Sequence, residues 1–360
     1  MIMKKTLIIC MLLACMGLVF RQCKPLDLTA DYKHISISYG ILNVKDNVHY
    51  FKVYRGFITD DNSYVAASEW DNIYYPVDSI EVRLEEYNNG KITRSAVLDT
   101  TTAIPKEEGA FHNPKQLLYY SNWKLDPERV YRLVIHRNST GEEVYAETVM
   151  VHDFGIKRPM VTWNMNLNQP YKMIFYSAEN AAMYDVYLTF YYIEVDKGTG
   201  AIEHKKISRK LNGDYIRATS TDEVIFMGFT PESFFNTIIQ GIETNDRVTR
   251  YIDSIEGQPY YCMRLTVWAA NQNYLTYREV ATPSSSIVQN NLEYTNFISE
   301  DGSAYGLVAS RNYAYKDLTM DNTTGHNEDT LVHSARTRRL NFDYYRYSPE
   351  FPSNDRGLRR

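Results

Sequence analysis

Catalysis and metal binding need a few residue types held close together, so the side chains able to supply them come first. The chain has eight histidines, His34, His49, His112, His136, His152, His204, His326 and His333, and no two stand at i, i+2 or i, i+4. Paired ligands on one strand or helix are therefore missing, and each imidazole reads as a surface or structural group unless the fold gathers several. The nearest approach to a serine nucleophile elbow is Gly302-Ser303-Ala304-Tyr305-Gly306. Alanine stands where the reactive hydroxyl belongs, so Ser303 reads as a turn residue. Cys262 lies in an alternating run whose apolar row is Tyr261, Met263, Leu265 and Val267, which puts the thiol on the opposite, wetter row with Arg264 and Thr266. No histidine follows nearby to activate it. Glu85-Glu86 and Asp60-Asp61 offer oxygens to calcium or a carboxylate pair for glycoside cleavage. Both pairs fall at a strand end or turn, where acids serve solvation. Gly-rich phosphate cradles, Cys-x-x-Cys pairs and His-Glu-x-x-His helices do not occur. No catalytic residue, metal site or cofactor is expected, although a hydrolase built from dispersed carboxylates stands as an alternative.

Aromatic rings are the feature with binding potential. Trp70, Tyr74 and Tyr75 lie in a connection from Asp60 to Val77 that is long for a hairpin. Flat rings on a loop stack on sugar faces or anchor a protein partner, and these three are the candidate binding residues for a glycan or peptide. The plainer reading folds them over the edge of a sheet. The tail mixes Tyr344, Tyr345 and Tyr347 with Arg336, Arg338, Arg339 and Arg346, yet the net charge of −5 does not suggest nucleic acid.

These residues must be positioned by strands. Tyrosine is the compositional outlier, 31 residues against 14 Phe and 4 Trp, and it suits half-buried strands with the ring inward and the hydroxyl wet. Hydrophobic content of 44% and charged content of 23% exclude a disordered chain, and 360 residues accommodate two domains. From Tyr32 to Asp153 short alternating runs are separated by turns. Ile80, Val82 and Leu84 share one row while Glu81, Arg83 and Glu85 share the other. Asn88-Asn89-Gly90 marks a hairpin, because both central residues must accept positive φ, and Asn138 to Gly141 marks a second. Residues 32–153 are therefore expected to form an antiparallel sandwich of immunoglobulin-like size.

Residues 154–315 are expected to form a second β-rich domain with one helix near 231–243. There Thr230 precedes Pro231, and Phe234, Phe235, Ile238, Ile239 and Ile242 make an apolar stripe at helical spacing. Residues 316–360 read as a polar, partly loose tail. The fold class is mainly β.

The first 22 residues read as an export signal: Lys4 and Lys5 precede an uncharged apolar run from Thr6 to Phe20, too short to span a bilayer comfortably. Three of the 4 cysteines, Cys10, Cys15 and Cys23, crowd in or just after this run. Disulfide-stapled secreted domains spread their cysteines instead. The placement suits lipid attachment at Cys23, which leaves residues 23–31 as a tether. The alternative is Cys15, where Leu12-Leu13-Ala14-Cys15 fits a lipobox. Secretion without lipid is the plain alternative. Acylation would anchor the chain to a membrane without spanning it.

The start of the chain, with Ile37-Ser38-Tyr39-Gly40-Ile41-Leu42-Asn43 and His49 to Phe57, resembles a family of Bacteroidota lipoproteins. Tyr294-Thr295-Asn296-Phe297-Ile298 and Gly306-Leu307-Val308-Ala309-Ser310 resemble that family's closing segment. The resemblance implies an envelope location, outer-membrane anchoring on the periplasmic or outer surface, two β-rich domains and frequent genetic proximity to TonB-dependent outer-membrane receptors. It implies no catalytic residues. The function expected is therefore that of a non-enzymatic envelope lipoprotein presenting a binding surface, accessory to a receptor or transporter. A structural or adhesive role is the further alternative.

Overall fold

The computed structural model describes residues 35–57, 59, 62–76, 78–109, 111–159, 164–165, 170–218, 220–255, 261–281, 294–300, 302–320 and 327–350. Cys10, Cys15, Cys23, His34, Asp60, Asp61 and His326 lie outside them, as do the expected signal and tether. The structure is mostly β, with 47% of the described residues in strands and 15% in helices.

The first half contains β1 (Ser36–Leu42), β2 (His49–Arg55), α1 (Ser63–Ala67), α2 (Trp70–Ile73), β3 (Ile80–Asn88) and β4 (Lys91–Val97). It continues with β5 (Asp99–Thr101), β6 (Leu118–Ser121), β7 (Val130–Arg137) and β8 (Glu143–Val149). The second half begins with β9 (Ile156–Arg158), β10 (Asn164–Met165), β11 (Tyr171–Tyr176), β12 (Met183–Asp196), β13 (Ile202–Lys210), β14 (Ile216–Arg217) and β15 (Val224–Phe229). After α3 (Pro231–Gly241) come β16 (Val248–Ile252), β17 (Tyr261–Ala270), α4 (Gln272–Ala281), β18 (Phe297–Ile298), β19 (Ala304–Met320) and α5 (Asn327–His333).

Turn chemistry sets the hairpins. Asn89 and Gly90 take φ of 48° and 75° between β3 and β4, Gly141 takes 72° after β7, and Gly200 takes 74° between β12 and β13. In the last turn Asp196 Oδ1 accepts from the backbone N–H of Gly198 and Thr199 at 2.9 and 2.7 Å. Alternation then closes a two-sheet sandwich. A five-stranded sheet, β18-β8-β7-β3-β4, faces β5-β6-β2-β1 across a core that includes Phe51, Val53, Val82, Leu84, Leu133, Ile135 and Val144. Burying each such side chain is worth about 1.5–3 kcal/mol. The chain switches sheets between β4 and β5, where Leu98 is buried.

β19 changes the expected organisation. Its first seven residues pair in parallel with all of β1, Ser36 opposite Ala304 through Leu42 opposite Ser310. Its later residues pair antiparallel with β17 in the second half. One sheet of 11 strands therefore runs through both halves, β13-β12-β17-β19-β1-β2-β6-β5, with shorter strands attached. At the usual rise, a 17-residue strand spans about 55 Å. Phe297, Ala304 and Val308 belong to the first core, while Leu318 and Met320 belong to the second. Phe297 and residues 304–310, assigned by sequence to the second domain, thus complete the first sandwich, and the β1–β19 pair is parallel.

The second core gathers Met173 and Phe175 of β11, Val186, Leu188 and Phe190 of β12, and Leu265 and Val267 of β17. Helix α3 stands where expected and buries Phe234, Phe235, Ile238 and Ile242 in this core. Its N-cap, Thr230, makes no side-chain cap bond. Helix α4 packs Leu275 against Met183 and Ala270 in a smaller cluster. The expected loose tail is tied down as far as it is described. Lys316 to Met320 finish β19, and Leu331, Leu340 and Phe342 are buried in the second core. Arg250, 2% exposed, clamps this segment: Nη1 donates to Leu340 O at 2.6 Å, Nη2 to Glu243 O at 2.9 Å, and Nε to Glu194 Oε1 at 2.7 Å.

Candidate functional site

The loop between β2 and β3 is folded into α1 and α2, which lay the aromatic residues against the sandwich. Tyr74 and Tyr75 are buried. Tyr75 Oη is 2.8 Å from Ser36 Oγ and donates to Ile35 O at 3.2 Å. Tyr74 packs its ring 5.5 Å from Tyr54, whose hydroxyl burial pushes up to about 12. Trp70 is half-buried, 4.1 Å from the Tyr74 ring, with His112 edge-on at 5.5 Å and Lys115 Nζ 5.4 Å above it. Of the three predicted binding aromatics, Tyr74 and Tyr75 have no open face for a ligand. Packing of α1 and α2 onto the sandwich edge is the reason.

Cys262 also departs from its expected row. The register of β17 against β19 shifts between Tyr261 and Met263, so both Cys262 and Met263 turn into the second core. Burial pushes the thiol up to about 12, which keeps it protonated and inert. Glu85 accepts from Tyr87 Oη at 2.8 Å, and Glu86 accepts from Thr93 Oγ1 and Tyr131 Oη at 2.7 and 3.0 Å. These bonds account for both acids within the sheet. Ser303 is fully buried and joins Arg137, Glu142 and Ser36 in a network that ties β1, β7 and β19.

Most described histidines have structural partners. His49 Nε2 meets Trp123 O, and burial holds its pKa down. His112 Nδ1 meets Ser68 O, and His333 Nε2 meets Tyr344 Oη. His204 is different, because the fold gathers it with Asp253 and Glu350. Their ligand atoms lie within 4.8 Å of one another. Nδ1 is 2.9 Å from Asp253 Oδ2 and Nε2 is 3.3 Å from Glu350 Oε1. A protonated ring satisfies both carboxylates at once. The hydrogen bond that the ring donates to Asp253, then the charges of Asp253 and Glu350, hold the imidazole above its ordinary range.

A cleft of about 350 Å³ opens at the joint of the two halves. Its walls are Val149 at the end of β8, Ala178 and Asn180 to Ala182 before β12, Ala218, Ser220 and Thr221, and Asn271 to Asn273 at the start of α4. Asparagine amides set its shape. Asn271 Nδ2 donates to Thr148 Oγ1 at 2.8 Å while its Oδ1 accepts from Tyr274 N, capping α4. Asn180 Nδ2 reaches Met150 O at 3.0 Å, and Asn273 Nδ2 reaches Glu147 O at 3.0 Å. Asn180 and Asn273 contribute side-chain amides to the lining, and Ser220 and Thr221 contribute hydroxyls. Among the described residues that line it none is titratable, and the groups they offer are amides and hydroxyls able to hydrogen-bond. Its residues come from four separate segments, which is why spacing along the chain did not reveal it.

A second group was also missed. Tyr187 and Tyr191 of β12, Trp268 of β17, and Tyr313 and Tyr315 of β19 share the face of the large sheet turned away from the second core. The sequence signal was the aromatic residue in the polar row of each strand.

No protein-family model matches the chain, and no curated protein matches it. Among solved structures, the chain has a likeness to the C-terminal globular domain of an oligosaccharyltransferase from Pyrococcus abyssi, at 10% identity and a TM-score of 0.19. The match covers 80% of this chain and 47% of that one, so the chain spans about half the length of that structure. A likeness this low carries no argument about function.

Proposed function

We propose that this protein is a non-enzymatic cell-envelope lipoprotein that presents a binding surface, accessory to an outer-membrane receptor or transporter. The observation that carries the reading is the cleft at the joint, whose described lining is made of asparagine amides, hydroxyls and small apolar residues, a composition suited to holding a ligand. The apolar N-terminal run with its cysteines supports lipid anchoring, at Cys23 or, as the alternative, Cys15. No helix among the described residues is long and apolar enough to cross a membrane. Affinity capture from envelope extracts tests the reading. Recovery of a receptor, or of a glycan or peptide bound to the protein, supports it, and recovery of none of these counts against it.

A second reading has its own observation. Strand β4 hydrogen-bonds to β3 on one side and forms the edge of the five-stranded sheet, with Lys91 to Ser95 exposed. A partner strand added there would make the protein a structural or adhesive component of the surface. Lys91 and Arg94 on this edge oppose uncontrolled pairing.

A further inference from the structure

An exposed sheet face is ordinarily a mixture of small polar and charged side chains, but the outward face of β12, β17 and β19 carries a set of aromatic rings. Register brings them together. Trp268 pairs with Tyr313, and Thr266 pairs with Tyr187 on one side and Tyr315 on the other. The Trp268 and Tyr313 rings are 4.9 Å apart, and Tyr313 and Tyr315 lie within 24° of parallel at 6.4 Å. Tyr315 is 48% exposed.

Cations surround the rings. Arg311 stands 4.6 Å over Trp268, Arg264 4.2 Å over Tyr315, and Lys45 Nζ 4.9 Å over Tyr313. Register places Lys210 opposite Tyr187 and Lys206 opposite Tyr191, and Arg278 of α4 reaches the same face at Asp185. Asp185 is held by Lys210 and Arg278, Asp317 by Arg264, and Asp153 by Lys45. These six cations outnumber the three acids that pair with them, in a chain whose net charge is −5.

We infer that this face binds an acidic polysaccharide, and the inference deepens the binding-surface reading and rests on it. The C–H faces of pyranose rings stack on flat aromatic side chains, and guanidinium groups beside them pair with uronate carboxylates in bidentate fashion. The charge surplus selects an anionic ligand over a neutral one. Carboxylates spaced along a sugar chain match a surplus of this size, whereas a nucleic acid presents a dense row of phosphates that calls for a basic protein. Tyr and Trp lose little conformational freedom on contact, which suits a broad platform.

Affinity electrophoresis of the full-length protein in detergent tests this, with polygalacturonate, dextran or a single-stranded oligonucleotide in the gel. Polygalacturonate retards the protein, and retardation weakens as ionic strength rises from about 0.02 to 0.3 M. Dextran and the oligonucleotide leave it unchanged. Replacing Tyr315→Ala together with Arg311→Ala weakens binding roughly tenfold or more, equivalent to about 1.4 kcal/mol. Lys206→Glu, at an exposed position on β13, weakens it without touching the packed rings. No retardation by polygalacturonate overturns the inference. So does equal retardation by dextran or the oligonucleotide, or full retention of binding in both variants. Envelope capture of a receptor is independent of these results, so failure of this inference leaves the broader reading to its own test.

Discussion

Gly306 meets the backbone of Ser38 so closely that only a residue without a Cβ fits between β19 and β1. A Cβ built on Gly306 would overlap the Ser38 carbonyl, standing 2.8 Å from its carbon and 2.9 Å from the Ser38 nitrogen. Gly306 also takes φ of 115°, which side-chain-bearing residues rarely adopt. The approach sits within the parallel pairing that joins the two halves into one sheet.

Gly306→Ala is therefore expected to lower stability by at least about 3 kcal/mol, from overlap and backbone strain together. Gly213→Ala is the control, since nothing lies within 4 Å of its Cβ position and no positive φ is involved. It should change stability by less than about 0.5 kcal/mol. Denaturant midpoints of the two variants check this, and equal midpoints would contradict the role given to Gly306.

The second expectation concerns the tail clamp. Arg250→Ala leaves Glu194 with Lys205 alone and strips the Leu340 and Glu243 carbonyls of their donor. Removing one partner of a buried pair costs about 3–5 kcal/mol. Hydrogen exchange should show new opening at 331–342, where Leu331, Leu340 and Phe342 pack. Protection unchanged there would show that the apolar contacts hold the tail without the arginine.

The third expectation is a pH dependence at His204. Its folded-state pKa is raised, first by the hydrogen bond to Asp253 and then by the nearby carboxylate charges. A raised imidazole contributes its stabilisation fully below the unfolded value of about 6.5, and the contribution is lost as pH rises through the folded value. The contact from Glu350 to β13 should accordingly be formed in mild acid and weaken in alkaline solution. A titration of the His204 ring by nuclear magnetic resonance reads this directly. A midpoint at or below the ordinary imidazole value would remove the bridge from the account.

Local features were legible in the sequence wherever one physical rule governed them. Asn89-Gly90 had to turn because of its φ demands, and Ile80, Val82 and Leu84 had to face inward because of their period. The stripe from Phe234 to Ile242 had to be buried for the same reason. Long-range pairing had no such signal. Nothing local tells Gly306 that Ser38 lies beside it, so the sheet shared by the two halves was missed. Cys262 shows how one extra residue in a strand turns inward a side chain that alternation alone assigns to water. The tail misled because Leu331, Leu340 and Phe342 have no period, and each is buried by a partner far away in the chain. The cleft escaped for the same reason: Asn180 and Asn273 come together only after the sheets have formed.

Membrane tethering is the claim on which the functional reading turns, and mass spectrometry of the mature N-terminus from native membranes tests it most directly. The account predicts a chain beginning at Cys23, or at Cys15, with the mass of attached lipid on that cysteine. A chain that still begins at Met1 and fractionates with soluble cytosolic proteins would contradict it.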